Sequence, residues 1–408
     1  MNRSWCGVVL AALPIIAAGA GAQGAPPAPR ATTRAEAVAQ ALAAGPRVAI
    51  ALTDTAVASA SLDIARAFPN PVLLAGYSKS APQYHFSLDQ PIEYPWLRSA
   101  RADAAAEFRR AAVYRYTLER AFAELEADVA YTMTLAARAH VRLSRRTTVD
   151  ADSLLVLARV RAEAGDASEL DVELATISAG VAANASAADS LAAIEALFEL
   201  QRVMGLPSDR PLVEPTDSLT EPPTAAGTAA GGAPLAVAAA EAAARGAERS
   251  VAVESNSIFN TPSIQLGFEQ HDPTGAEPGT LPTIGISLPL PLWNQRGGEV
   301  AAAKAGLARA QAELSFARRE SDARVAQARR ELAAAQLRVE RDRRLLTSAQ
   351  RVASMSLTAY AEGAAGLPTV LEAQRTARDA VARYVDDLAT AQTAAAYLRL
   401  HTLTATLP

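Results

Sequence analysis

Two stretches of the chain are patterned as amphipathic helices far longer than a compact domain uses. Over about 298–361, Val300, Leu307 and Leu314 step by seven, an eleven-residue step reaches Val325, and Leu332, Val339 and Leu346 resume the sevens. This is a coiled-coil seam with one four-residue insertion, which locally unwinds a left-handed supercoil. Over about 99–163, Leu118, Phe122, Leu125 and Val129 step by four, three and four. The helix that follows it, about 169–204, repeats the pattern at Leu170, Leu174, Ile177 and Val181, and a matching return helix covers about 368–400. A helix of ~60 residues rising ~1.5 Å per residue is ~90 Å long. That is the length of a tube wall, not of a globular core.

A period of two precedes each long helix. Ile264, Leu266 and Phe268 alternate with Ser263, Gln265 and Gly267, and Ile284, Ile286 and Leu288 alternate with Thr283, Gly285 and Ser287. This is the apolar-out, polar-in dyad of a membrane barrel strand. In the first half Tyr84, Phe86 and Leu88 alternate with His85, Ser87 and Asp89, whereas Val72 to Tyr77 alternates poorly. Ser78 to Gln83 reads as a short loop and Glu269 to Leu281 as a longer one. Four strands cannot close a barrel, and an open sheet edge is not tolerated in hydrocarbon, so such strands require association between copies.

Order and spacing occur twice, which marks a duplicated unit. Phe86-Ser87-Leu88 matches Ile286-Ser287-Leu288, Pro91 matches Pro291, Glu163-Ala164-Gly165 matches Ala361-Glu362-Gly363, and Val172 matches Val370. Helices of moderate length, about 47–66 and 235–253, lead into the strand pairs, and a short one, Arg34 to Ala44, precedes them. The expected division is a leader at 1–22, a first repeat at 23–206, an irregular Pro- and Gly-rich connection at 207–234, and a second repeat at 235–408. The fold class is therefore mainly α with a small β part.

Composition agrees with this pattern. Half of the 408 residues are hydrophobic, but alanine dominates them and only 5% are aromatic, which favours long, closely packed helices. The formal charge of -4 argues against a nucleic-acid partner. Arg3, an apolar run from Val8 to Ala18 and Ala20-Gly21-Ala22 form a secretory leader with a cleavage site; the alternative is a single N-terminal anchor helix. Cys6, the one cysteine, lies within that leader and ahead of its apolar run, so lipidation is not expected and the mature chain has no thiol chemistry. Beyond the leader, no stretch is expected to approach a transmembrane helix in length and apolarity.

Catalytic chemistry finds no constellation. His85, His140, His271 and His401 are scattered without helical pairing, so no metal site or other cofactor is expected. Ser287 in Gly285-Ile286-Ser287-Leu288-Pro289 lacks the second glycine of a nucleophile elbow. Tyr94, Trp96 and Trp293 fall where strand gives way to helix and suit either interfacial anchoring or a packed junction.

Several segments resemble the TolC family of outer-membrane efflux proteins. They are Ala65-Arg66-Ala67-Phe68-Pro69-Asn70-Pro71, Ile286 to Asn294 with Gly298-Glu299, and the helix turns at Arg161 to Asp171 and Tyr360 to Glu372. The second-half stretch is most similar to the heavy-metal (CzcC/CusC-like) branch. The resemblance implies a homotrimer with a twelve-stranded β-barrel in outer-membrane lipid above a periplasmic α-helical tunnel. It also implies a periplasmic adaptor, an inner-membrane transporter of the RND type, no catalysis and no cofactor.

On that reading, two sets of residues become candidates. The turns Gly165, Asp166, Ala167, Ser168 and Gly363, Gly366, Leu367, Pro368 lie at the periplasmic tip and would dock the adaptor; they are equally simple hairpin turns, with Ser168 as an N-cap and Pro368 opening the next helix. Asp171, Glu173 and Glu372 would line a closed aperture, with Arg375 and Arg378 as partners, or form an ordinary solvated face at helix N-termini. A periplasmic coiled-coil scaffold without channel activity, or export of drugs and not metals, are the competing functions.

Overall fold

The computed structural model describes residues 29–80, 82–222, 232–257, 261–270 and 279–405. The expected leader with Cys6, and His271, lie outside the described residues. The elements run β1 (Arg30–Thr32), α1 (Arg34–Ala44), α2 (Pro46–Arg66), β2 (Val72–Tyr77), β3 (Tyr84–Pro91), α3 (Pro95–Glu163) and α4 (Glu169–Val203). They continue with β4 (Val213–Pro215), α5 (Leu235–Asn256), β5 (Ser263–Gln270), β6 (Thr280–Ser287), α6 (Gly297–Ala361) and α7 (Leu367–Thr402). The order α2-β2-β3-α3-α4 recurs as α5-β5-β6-α6-α7, so the chain is the same unit written twice. Proline opens α2 and α3, where a missing amide hydrogen costs nothing, and Thr33 with Glu36 caps α1 reciprocally.

The four longer strands form one antiparallel sheet in the order β2-β3-β5-β6, so the two repeats meet at the β3–β5 pair and β2 and β6 are its free edges. The helices line up in the same order beneath it. α3 packs against α2 and α5 and, further along, against α4 and α7; α6 packs against α5 and then α7. Each short pair makes one interrupted rod. The end of α7 meets the start of α5 through an amide of Leu235 donating to the Leu403 carbonyl at 3.3 Å and one of Ala405 donating to the Ala233 carbonyl at 2.9 Å. At the other joint Gly205, with φ +71°, follows α4 and lies so close to the end of α1 that a Cβ would stand 2.7 Å from the Ala44 carbonyl oxygen. Only glycine fits both that φ and that space.

The seams differ between helices. Leu332 and Val339 of α6 are buried against α7, as the heptads require. On α4 the expected seam is reversed. Leu170, Ile177 and Val181 are exposed, and the face against α3 is alanine, with Ala175, Ala179 and Ala182 all buried. Small side chains let two backbones approach closely, so the larger apolar residues are turned outward. A second correction concerns membrane-length helices: α2 and α4 are both long and apolar enough by composition to span a bilayer. Alanine together with Val, Ile and Leu supplies that apolarity, and each helix packs one face on α3.

The expectation of purely irregular structure between the repeats also needs amending, because β4 pairs in parallel with β1. This small sheet sits midway along α3 over a buried ionic junction. Asp128, with a side chain only 6% exposed, accepts from the guanidinium groups of both Arg34 and Arg399. Arg34 also donates to Thr132 Oγ1 at 2.9 Å and lies 5.3 Å over the ring of Tyr131. The Tyr131 hydroxyl donates to the Thr32 carbonyl at 2.9 Å, and the Arg34 amide donates to Asp217 at 2.8 Å. The Asp128 carboxylate thus ties the start of α1 and the return helix of the second repeat to the long helix of the first, and the Arg34 amide adds the inter-repeat segment through Asp217. Asp128→Ala removes the charged acceptor shared by two partly exposed arginines, and its expected cost is about 1.5–3 kcal/mol. The thermal midpoint of the detergent-solubilised protein measures it; a midpoint within a degree of wild type contradicts this role.

Candidate functional site

The sheet has two chemically distinct faces. Register places Leu73, Leu88, Leu266 and Ile284 in one cross-strand row, and Ala75, Phe86, Phe268 and Pro282 in the next. Phe86 and Phe268 stack with centroids 5.0 Å apart. These side chains are turned to the outside, with Leu73 at 71% and Ile284 at 82% exposed. The opposite face carries His85, Ser87 and Asp89 beside Glu269, Gly267 and Gln265. There His85 Nδ1 is 3.2 Å from Glu269 Oε1, and Gln265 donates to Asp89 Oδ2 at 3.2 Å. His85, Glu269 and Gln265 thus find partners on this face, while Asp89 uses only Oδ2 and its buried Oδ1 accepts from no described residue. The poor alternation of β2 comes from Val72 and Leu74, which lie on the polar face. The second loop is shorter than expected, since Glu269 and Gln270 belong to β5 and Thr280 and Leu281 to β6.

The other end of the wall holds the two helix turns. Gly165 and Gly363 adopt φ of +81° and +79°, as chain reversal after a helix requires. The turns are packed together in one cluster of Leu154, Ala158, Ala175, Tyr360, Leu367 and Val370. Arg161 crosses between them: its guanidinium donates to the Tyr360 carbonyl, donates to the Asp166 carbonyl at 3.2 Å, and lies 4.7 Å over the Tyr360 ring. Burial pushes the Tyr360 hydroxyl above its ordinary pKa, with Arg161 opposing and Asp171 adding to the shift.

The candidate residues sort accordingly. Gly165, Asp166, Ser168, Gly363, Gly366 and Pro368 are exposed at the turns, while Ala167 is half-buried. Leu367 is fully buried and is the first residue of α7, so Pro368 stands second and not first. Asp171 is engaged in a capping box: its carboxylate accepts from the Ser168 amide at 3.1 Å and from the Ser168 hydroxyl at 2.9 Å. Glu173 and Glu372 are exposed. Arg375 and Arg378 turn not to those acids but to Asp379, at 3.9 and 2.9 Å. Among the described residues no His, Cys, Asp and Glu side chains gather as a metal site; His140 pairs with Asp386 at 2.8 Å. Arg161, Tyr360 and Asp128 were not candidates from sequence, because a half-buried arginine, a buried tyrosine or a buried aspartate in a long Arg/Glu-rich helix has no signature apart from its solvated neighbours.

With this geometry in place, comparison with known proteins is informative. The sequence pattern of the family described as outer membrane efflux protein matches residues 235–405. No curated protein matches the chain. Among solved structures, the outer membrane protein VceC of Vibrio cholerae superposes with a TM-score of 0.74 at 15% identity, over 90% of this chain and 95% of that one. The chain has the fold of an outer-membrane channel protein. The CmeC outer membrane channel of Campylobacter jejuni gives 0.75 at 14% identity, covering 90% and 85%, and CusC gives 0.76 at 14%, covering 91% and 92%. The likeness therefore extends through both repeats, including the first, which the family pattern does not reach.

The capping box predicts a specific sensitivity at the tip. Ser168→Ala removes its hydrogen bonds and is expected to destabilise the α3–α4 hairpin by about 1 kcal/mol, with Ser168→Asp close to neutral. Faster amide exchange over the first turn of α4 would report it; unchanged exchange would contradict it.

Proposed function

We propose that this chain is one subunit of a trimeric outer-membrane exit duct, which passes solutes from the periplasm to the exterior and catalyses nothing. The two-faced sheet carries the reading. An exposed apolar face backed by a polar one suits a barrel wall with lipid outside and water within. Its two free edges would pair between copies, and three copies would supply twelve strands. The alternation has no use in a periplasmic scaffold. The decisive measurement is fractionation with outer membranes together with an SDS-resistant, heat-sensitive trimer; a monomer in the soluble periplasm overturns the proposal.

The helix turns then become the periplasmic tip, with Gly165, Asp166, Ser168, Gly363, Gly366 and Pro368 as the surface offered to an adaptor and, through it, to an RND-type transporter. Glu173 and Glu372 supply the negative charge there, whereas Asp171 is committed to its cap and Arg375 to Asp379. Gly366→Trp is expected to leave trimers intact and abolish export; normal resistance in that mutant removes the docking role. Heavy-metal cations are the proposed cargo, on the resemblance of Ile286 to Asn294 to the heavy-metal branch. Metal sensitivity of a deletion strain supports that cargo, and sensitivity to organic drugs alone replaces it.

A further inference from the structure

We infer that the free flank of α6 seats against the free flank of α4 in a second copy of this chain, in a register set by an ion pair between Arg341 and Glu195. The inference rests on the channel reading, which requires the wall to close on itself.

Three observations support it. The first is position. Helix order and strand order coincide, so α4 lies on the side of the β2 edge and α6 on the side of the β6 edge. Whatever pairs the sheet edges brings these two helices together, head to tail as a closing ring demands.

The second is the chemistry of the two faces. On α6, Ala328, Leu332, Ala335 and Val339 mark the packed side; Arg330, Leu337, Arg341 and Met355 lie about half a turn away from it by helical geometry. Leu337 and Met355 are 67% and 63% exposed. On α4 the alanine face is packed, and Leu170, Ile177, Leu191 and Glu195 lie opposite, the three apolar residues all exposed. The α6 flank is an apolar stripe with basic charge; on α4 Glu173 and Glu195 supply acidic charge, and Arg202, seven residues beyond Glu195 on the same face, is held by Glu199. Among the described residues Glu195 and Arg341 make no side-chain hydrogen bond or ion pair within 4.0 Å, Asp342 beside Arg341 being the one carboxylate in charge contact with it.

The third is height. Thr134 of α3 donates to the Ala196 carbonyl of α4 at 3.0 Å, which levels those two positions. Asp128–Arg399 and His140–Asp386 bracket Thr134 on α7, near residue 392. There Ala391 packs with Ala335 of α6. Glu195 therefore stands level with Ala335 to Leu337, and Arg341 lies about one turn nearer the tip. Helical side chains lean towards their own N-terminus. α4 begins at the tip and α6 at the barrel end, so Glu195 leans down and Arg341 leans up. They converge. Arg330 lies above Glu195 and leans further away from it.

The experiment uses the full chain in outer membranes. Leaving Cys6 aside with the leader, the chain has no cysteine, so introduced pairs report without background. Oxidation of Glu195→Cys with Leu337→Cys should give covalent dimers and trimers, whereas Glu195→Cys with Met355→Cys, roughly 27 Å lower along α6, should give none. Independently, Glu195→Arg or Arg341→Glu should lower the trimer fraction severalfold on detergent extraction. The double swap should restore it, and Glu195→Arg with Arg330→Glu should not. A stable wild-type trimer with no Glu195–Leu337 crosslink and no rescue overturns the register while the duct reading stands. A wild-type monomer overturns both.

Discussion

A strand edge cannot be left bare in hydrocarbon, where each unpaired amide or carbonyl costs several kcal/mol. The sheet of this protein has two such edges, β2 and β6, and an exposed apolar face, which on the proposed function would put both in that medium. Much of the remaining architecture follows from closing them. The helices keep the order of the strands, so a pairing made at the sheet is continued down the wall. In the proposed ring, the exposed leucine and isoleucine stripe of α4 and the basic stripe of α6 would be the surfaces that meet between copies.

The interior of the wall obeys a different rule. Within a copy, helices meet through alanine: Ala175, Ala179 and Ala182 on α4, Ala391 and Ala394 to Ala396 on α7. Such faces bury little area per residue, and the long helices make up for it by length. A small polar investment at mid-height does what packing alone does not. Asp128 receives one arginine from each end of the chain, fixing how far α7 slides along α3. A slip of one turn would separate these charges inside an apolar setting, so this junction discriminates between registers that alanine faces hardly distinguish.

Element type and order were legible in the residues because period and punctuation agreed. Heptads marked α3 and α6, Gly165 and Gly363 marked their ends, and the dyads of Ile264 to Phe268 and Ile284 to Ile286 marked the sheet. What stayed hidden was which face of a helix meets which neighbour. Leu170, Leu174, Ile177 and Val181 have the spacing of a buried seam, yet three of the four point outward, because alanine on the opposite face packs more closely against α3. Spacing reports that a stripe exists, not whether its partner is in the same chain. The tip shows the same limit. Asp171 and Glu173 look alike in sequence, and only the Ser168 hydroxyl three residues before Asp171 decides that one is a cap and the other is exposed.

The interrupted rods have a further consequence for how this wall tolerates change in length. Every residue inserted into α3 or α6 would rotate all side chains beyond it by about 100° and destroy the match between faces. At the joints between α4 and α2 and between α7 and α5 the helical phase is already broken, and the connecting chain leaves the wall sideways. Residues added there lengthen a belt around the tube without turning anything above or below it. Gly205 is the exception, since the chain there is pressed against the end of α1 at Ala44. Evolution can therefore decorate the waist of such a tube freely while its bore remains constant.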